Sequence, residues 1–224
     1  MVILFDLDET LLDHVSAESQ AALAFHNQFR NEINQTAEDF VITWHDLAEK
    51  WFELYGKGQT TFQGQRRERL REIFGKALPD ATADARFDTY IGFYEQYWSV
   101  FPDVQPCLDA LRGRKLGVIT NGVPDQQNKK LERVGIRDRF AQVICSTEVG
   151  VAKPDPEIFR LAAKRFGVEP KECIYVGDRL ETDALAATKA GMKGVWLNRR
   201  DESKGQSVLT LQSLLELKDV IGIE

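Results

Sequence analysis

Val2-Ile3-Leu4-Phe5-Asp6-Leu7-Asp8-Glu9-Thr10 opens the chain: four apolar residues running straight into two carboxylates one residue apart. A short apolar run closed by polar residues predicts a buried strand of a parallel sheet. In open α/β sheets the carboxyl ends of the strands face the ligand crevice. Asp6 is therefore expected at the mouth of a site, with Asp8 one strand repeat further on. Two acids so placed repel each other unless a cation or a shared proton relieves them, and a divalent metal is the simplest relief. Asp is also common where a strand merely turns into solvent, and an isolated Asp-Leu-Asp fits that equally well.

Three later segments follow the same plan. Leu116-Gly117-Val118-Ile119-Thr120-Asn121-Gly122 reads as a strand ending in a hydroxyl, an amide and a glycine, with a helix expected over 125–134. Thr120 and the N–H groups after it suit an anion cradle near a helix start, although Asn-Gly is also an ordinary turn. In Lys153-Pro154-Asp155-Pro156, Asp155 is the expected N-cap of a helix running to about residue 166, with Pro156 in its first turn. Pro154 keeps Lys153 extended, where its ammonium is a point charge suited to a phosphate oxygen. Cys173-Ile174-Tyr175-Val176-Gly177-Asp178 is another buried-type strand, and Asp183 follows at the start of a helix, placed to reach back.

Composition sets limits. A chain of 224 residues with 43% hydrophobic residues supports one α/β domain with a modest insertion. No apolar stretch approaches bilayer length, so no membrane association is expected. Because the first strand starts at the N-terminus, no signal or transit segment is expected. The three cysteines, Cys107, Cys145 and Cys173, form no CxxC pair and read as free buried thiols, pointing to the cytoplasm. A net charge of −6 argues against a nucleic-acid polymer as partner. A small anionic ligand remains compatible, since a bound metal and Lys153 would set the local field.

Residues 14–98 break the strand–helix alternation. Apolar residues recur there at helical spacing, among them Phe25, Phe40, Trp44, Leu47, Trp51, Phe87 and Tyr94, and predict four or five amphipathic helices in a small bundle. The organisation expected is a core of residues 1–13 and 99–224 carrying an inserted helical unit of residues 14–98. The aromatics Trp44, Trp51, Phe52, Tyr55 and Phe62 read mostly as the bundle's own core. The run Arg66-Arg67-Glu68-Arg69-Leu70-Arg71 reads as a solvated helix face stitched by acids such as Glu68 and Glu72. His14, His26 and His45 lack metal-ligand spacing and receive no role.

Asp6-x-Asp8-x-Thr10, Thr120, Lys153, and Gly177-Asp178 with Asp183, taken in order, resemble the four motifs of the haloacid dehalogenase superfamily of phosphatases. The resemblance spans residues 2 to about 198. It implies a Rossmann-like three-layer α/β/α core with a mainly parallel sheet, plus an all-α helical cap inserted after the first strand. It implies Asp6 as nucleophile, forming an aspartyl-phosphate, and Asp8 as general acid toward the leaving alcohol and then general base toward water. It implies Mg²⁺ held by the Asp6 carboxylate, the Asp8 backbone carbonyl and Asp178. Thr120, the Asn121 backbone N–H and Lys153 are implied to bind phosphoryl oxygens, and Asp183 to orient a metal-bound water or Lys153 from behind.

Within the superfamily, dehalogenases lack the second aspartate and need no metal, so Asp8 and Asp178 point away from dehalogenation. Thr10 stands where phosphomutases usually carry an apolar residue. Glu9 resembles the acidic variant of pyrimidine nucleotidases and acylneuraminate phosphate phosphatases, and the tracts Glu148-Val149-Gly150-Val151-Ala152-Lys153-Pro154 and Trp196-Leu197-Asn198-Arg199 resemble the nucleotidase branch. The expected activity is release of phosphate from a small monoester, with nucleoside monophosphates among the candidates and a monomer or weak homodimer as the assembly. The alternatives are a sugar-phosphate phosphatase or phosphomutase, and, in another class, a non-catalytic binding protein on the same fold.

Overall fold

The computed structural model describes residues 1–201 and 208–222. The chain divides into two compact units, one of Met1–Asp13 with Ser99–Glu224 and one of His14–Trp98.

In the first unit the described residues form six strands: β1 (Val2–Phe5), β2 (Lys115–Thr120), β3 (Gln142–Cys145), β4 (Cys173–Gly177), β5 (Lys193–Leu197) and β6 (Leu209–Leu211). They make one sheet in the order β3-β2-β1-β4-β5-β6, and every neighbouring pair is parallel. All four residues of β1 are buried, as a central strand covered on both faces requires. Val2 and Leu4 join Tyr175, Ile158, Phe159, Ala162 and Ala187 in one apolar cluster. Ile3 and Phe5 point to the opposite face and are equally buried; the Phe5 ring stands edge-on to Phe140 at 6.3 Å. This is the Rossmann-like α/β layering expected from the sequence.

The second unit holds α1 (His14–Gln28), α2 (Ala37–Gly56), α3 (Phe62–Phe74) and α4 (Asp80–Gln96), so the four-helix alternative holds. Thr36 and Thr61 cap the starts of α2 and α3, accepting from the N–H of Asp39 at 3.1 Å and of Gly64 at 2.8 Å. Phe25, Phe40, Trp44, Leu70 and Phe87 build the core. Of the aromatics read as core, Trp44 is fully buried, whereas Phe52 is exposed and Trp51, Tyr55 and Phe62 are half-buried. The basic run is also corrected at one position. Arg69 is buried, its guanidinium 4.5 Å from the Trp44 ring centre and 3.8 Å from Glu18. It neighbours Leu70 on the inward face, where an aromatic ring draws a cation. Arg67 bonds Asp80 and Asp84 on α4, and Arg71 bonds Glu68 and Asp80. The acids that stitch the run thus lie mainly on the next helix.

The remaining helices belong to the first unit: α5 (Val104–Ala110), α6 (Pro124–Arg133), α7 (Ser146–Val149), α8 (Pro156–Phe166), α9 (Ala186–Lys189) and α10 (Leu217–Ile221). Asp155 caps α8 by accepting from the Glu157 N–H at 2.9 Å. A π-helical turn, Leu180–Leu185, links β4 to α9. Cys107, Cys145 and Cys173 are buried and free. Among the described residues no helix is long and apolar enough to cross a membrane.

Candidate active site

Strand register brings the motif residues to one edge. Phe5 pairs with Val118 on one side and Val176 on the other, so Asp6, Thr120 and Asp178 emerge from adjacent parallel strands. The Asp6 N–H continues the ladder to the Val176 carbonyl at 2.9 Å. From β1 the chain builds outward through β2 to β3, then returns across β1 to start β4. The crevice at such a reversal is where open α/β sheets bind ligands.

At its centre lies a buried charge cluster. Lys153 Nζ donates to Asp6 Oδ1 at 2.6 Å, Asp183 Oδ1 at 2.7 Å and the Tyr175 hydroxyl at 2.9 Å. Burial alone would lower the lysine's pKa, but the charges of Asp183 and Asp6 outweigh it and raise it, keeping the ammonium protonated. Both oxygens of Asp183 have partners: its Oδ1 also meets the Tyr175 hydroxyl at 3.0 Å, and its Oδ2 accepts from the Arg179 N–H at 3.0 Å. Gly177 permits this closeness, because a Cβ there would lie 2.4 Å from the Asp183 carboxyl carbon.

Oxygens of Asp6, Asp178 and Asp183 lie within 4.8 Å of one another. Burial, with Asp183 and Asp178 adding to it, pushes the Asp6 carboxyl well above the usual range despite Lys153. Asp178 is raised to about 6, by burial first and then by Asp183, against the pull of Lys153 and Arg179. Hard oxygen donors crowded this way suit a divalent cation such as magnesium. Each of the three could offer one carboxylate oxygen to such an ion.

The Asp178 value has a measurable consequence. Its folded pKa lies above the ordinary 3.8, so the stability it confers is whole below about pH 4 and is lost as pH rises through about 6. Asp178→Asn removes that loss. In chelator, the variant is expected to melt above the wild type at pH 8, by up to about 10 °C, and level with it near pH 4. Coincident melting at pH 8 would refute the assignment of a raised pKa.

Asp8, half-buried, is held by two residues that sequence reasoning missed. Lys130 Nζ lies 2.6 Å from its Oδ1 and Gln127 Nε2 lies 3.0 Å from its Oδ2. Gln127 Nε2 also reaches Thr120 Oγ1 at 2.7 Å. Tyr175, read only as a strand residue, is the third unanticipated member. The one sequence signal was Gln127-x-x-Lys130, whose spacing puts both on a single helical face.

Thr10 Oγ1 accepts from the Asp178 N–H at 3.0 Å, tying the first motif to the last. Glu9 has φ 62°, a left-handed region that favours glycine. The Asn121 side chain locks Lys153 in place, donating to its carbonyl at 2.9 Å and accepting from its N–H at 2.8 Å.

Fold and site together define a Rossmann-like α/β sheet whose crevice holds a lysine-anchored acidic cluster. A family model of haloacid dehalogenase-like hydrolases matches residues 1–191, and the chain belongs to that family. It is 38% identical over 209 residues to glyceraldehyde 3-phosphate phosphatase of Methanopyrus kandleri, covering 88% of this chain and 83% of that protein. It is 31% identical over 232 residues to pyrimidine 5'-nucleotidase YjjG of Escherichia coli, covering 98% of this chain and 96% of the relative. Among solved structures, the magnesium-bound HAD-hydrolase YfnB of Bacillus subtilis matches with a TM-score of 0.84 at 23% identity, covering 99% of this chain and 98% of that one. That last match is a likeness of fold.

Proposed function

We propose that this phosphatase of the haloacid dehalogenase-like family is Mg²⁺-dependent and hydrolyses small phosphate monoesters through an aspartyl-phosphate on Asp6. The observation that carries the reading is the buried Asp6 carboxylate, 2.6 Å from the Lys153 ammonium and next to Asp178 at the switch point of the sheet.

Asp6 attacks phosphorus as a carboxylate oxygen. The bond to the leaving oxygen breaks, and that oxygen takes a proton from the Asp8 carboxyl. A water then attacks the acyl phosphate and passes its proton to Asp8; the bond between phosphorus and Asp6 breaks, and inorganic phosphate leaves. Lys153, held by Asp6, Asp183 and Tyr175, and the Thr120 hydroxyl supply positive charge and a hydrogen bond to the phosphoryl oxygens as charge develops there. Magnesium held by the Asp6 and Asp178 carboxylates and the Asp8 backbone carbonyl would neutralise charge on the transferring group. Asp183 keeps Lys153 in place from behind.

In this reading residues 1–13 and 99–224 are the catalytic core, and residues 14–98 are an inserted cap that selects the leaving group. The protein works in the cytoplasm as a monomer or weak homodimer, and its buried free thiols suit a reducing compartment. The two named relatives act on a triose phosphate and a pyrimidine nucleotide, so both classes belong in the test. Assayed with a panel of phosphorylated metabolites, the protein is expected to release phosphate from at least one class. Turnover should vanish in chelator and return with Mg²⁺, and Mg²⁺ should raise the melting temperature as its concentration passes its Kd. Tight binding of a phosphate ester without release would favour the binding-protein alternative; phosphoryl transfer between sugar hydroxyls would favour the mutase.

A further inference from the structure

We propose that Gln127 and Lys130 are positioning residues that hold Asp8 and Thr120 in their working orientations, an inference that rests on the phosphatase reading above. Both sit three residues apart on α6 and both are buried, at 1% and 3% exposure. Lysine and glutamine are rarely buried to that extent without a partner that requires them. Lys130 Nζ holds Asp8 Oδ1 at 2.6 Å, and Gln127 Nε2 holds Asp8 Oδ2 at 3.0 Å. Each oxygen of the carboxylate is thereby tied to a different donor, which fixes the plane of the group as well as its place.

Gln127 does a second thing. A side-chain amide has two hydrogens; here one serves Asp8 and the other Thr120 Oγ1 at 2.7 Å. Its Oε1 is buried and finds no hydrogen-bond partner. Turning the amide over would set that oxygen against the Asp8 carboxylate, so the orientation seen is the one that charge allows. Thr120 Oγ1 also accepts from the Gly122 N–H at 3.2 Å. With two acceptances made, the Thr120 hydroxyl keeps its hydrogen for a third group. Gln127 thus sets Thr120 as a donor, the state that a phosphoryl oxygen needs. Gly122 protects this arrangement: a Cβ there would lie 2.4 Å from the Gln127 amide.

The test measures leaving-group dependence. Lys130→Met, Gln127→Met and wild type are assayed with Mg²⁺ on p-nitrophenyl phosphate, whose leaving group needs little protonation, and on glycerol phosphate, whose leaving group needs much. Thermal unfolding is followed in parallel. Lys130→Met is expected to lower kcat on glycerol phosphate by about 10- to 100-fold, with a several-fold smaller loss on the aryl ester. Gln127→Met should show the same asymmetry and also raise KM for both esters, because Thr120 loses its orientation. Lys130→Arg should recover part of the loss. Gly122→Ala, which pushes on the Gln127 amide, should reproduce the Gln127→Met pattern even if a methionine variant folds poorly. Equal losses on both esters, or losses that only track melting temperature, overturn the positioning role while wild-type turnover keeps the phosphatase reading intact. A wild type inactive on every ester overturns both.

Discussion

Asp6→Asn should leave a folded protein whose kcat is down by about 10⁴-fold or more. The amide oxygen is a poor nucleophile toward phosphorus, and without the covalent intermediate the remaining groups have only a water to direct. The substitution is isosteric, so the packing around β1 survives. Lys153 loses one negative charge beside it but keeps Asp183 at 2.7 Å and the Tyr175 hydroxyl at 2.9 Å. Burial and the neighbouring acids already push the Asp6 carboxyl well above its usual range. Removing its charge therefore relieves a strained group, and the metal-free variant is expected to melt no lower than the wild type at neutral pH. Acid quench of wild type during turnover, followed by peptide mass analysis, should find phosphate on the peptide containing Asp6. The variant should show none. A residual kcat within tenfold of wild type, or a phosphorylated peptide elsewhere in the chain, would remove Asp6 as nucleophile.

The reason so much of the site was legible in advance lies in parallel-sheet geometry. Each motif is an apolar run followed directly by its chemistry, and parallel register alone carries Asp6, Thr120 and Asp178 to one edge. No knowledge of side-chain packing is needed for that step. Gln127 and Lys130 were not legible for the opposite reason. On a polar helix they look solvated, and only the docking of α6 against the β1 loop shows them buried on Asp8. Tyr175 was hidden because a tyrosine in an apolar strand reads as core, which its ring is, while its hydroxyl reaches the charge cluster. Arg69 failed in the same way. A run of arginines suggests solvent, and the face of Trp44 that takes its guanidinium lies on another helix. Asn121 was expected to serve through its backbone; its side chain turns out to clamp Lys153 from a segment more than thirty residues distant. Local chemistry follows from sequence, whereas partnership across elements follows from how they dock.

Lys153→Met should be the most destabilising single change in the core unit. The side chain is 4% exposed and is the ammonium bound directly to both Asp6 and Asp183. Removing one partner of a buried ion pair leaves charge uncompensated and costs about 3–5 kcal/mol. In a unit of this size that corresponds to a fall of roughly 6–20 °C in melting temperature. The pH dependence gives a second, sharper signature. Lys153 is held above its ordinary pKa, so its contribution persists through the whole neutral and moderately alkaline range. Asp6 and Asp178 have pKa values raised by burial and by neighbouring acids against the pull of Lys153; without the lysine they rise further. The deficit of the variant should therefore be largest at alkaline pH and shrink as the pH falls toward about 6, the wild-type value of Asp178, because the raised carboxyls of the variant take up protons first. Lys153→Arg should not rescue, because a planar guanidinium cannot replace a compact ammonium that three acceptors surround. Turnover should fall at least a hundredfold in both variants as the phosphoryl group loses its fixed positive charge. Thermal unfolding between pH 5 and 8 in chelator checks the stability argument separately from catalysis. A melting temperature within about 2 °C of wild type at pH 8 would mean that Asp6 and Asp183 do not depend on this lysine, and the charge cluster would have to be redrawn.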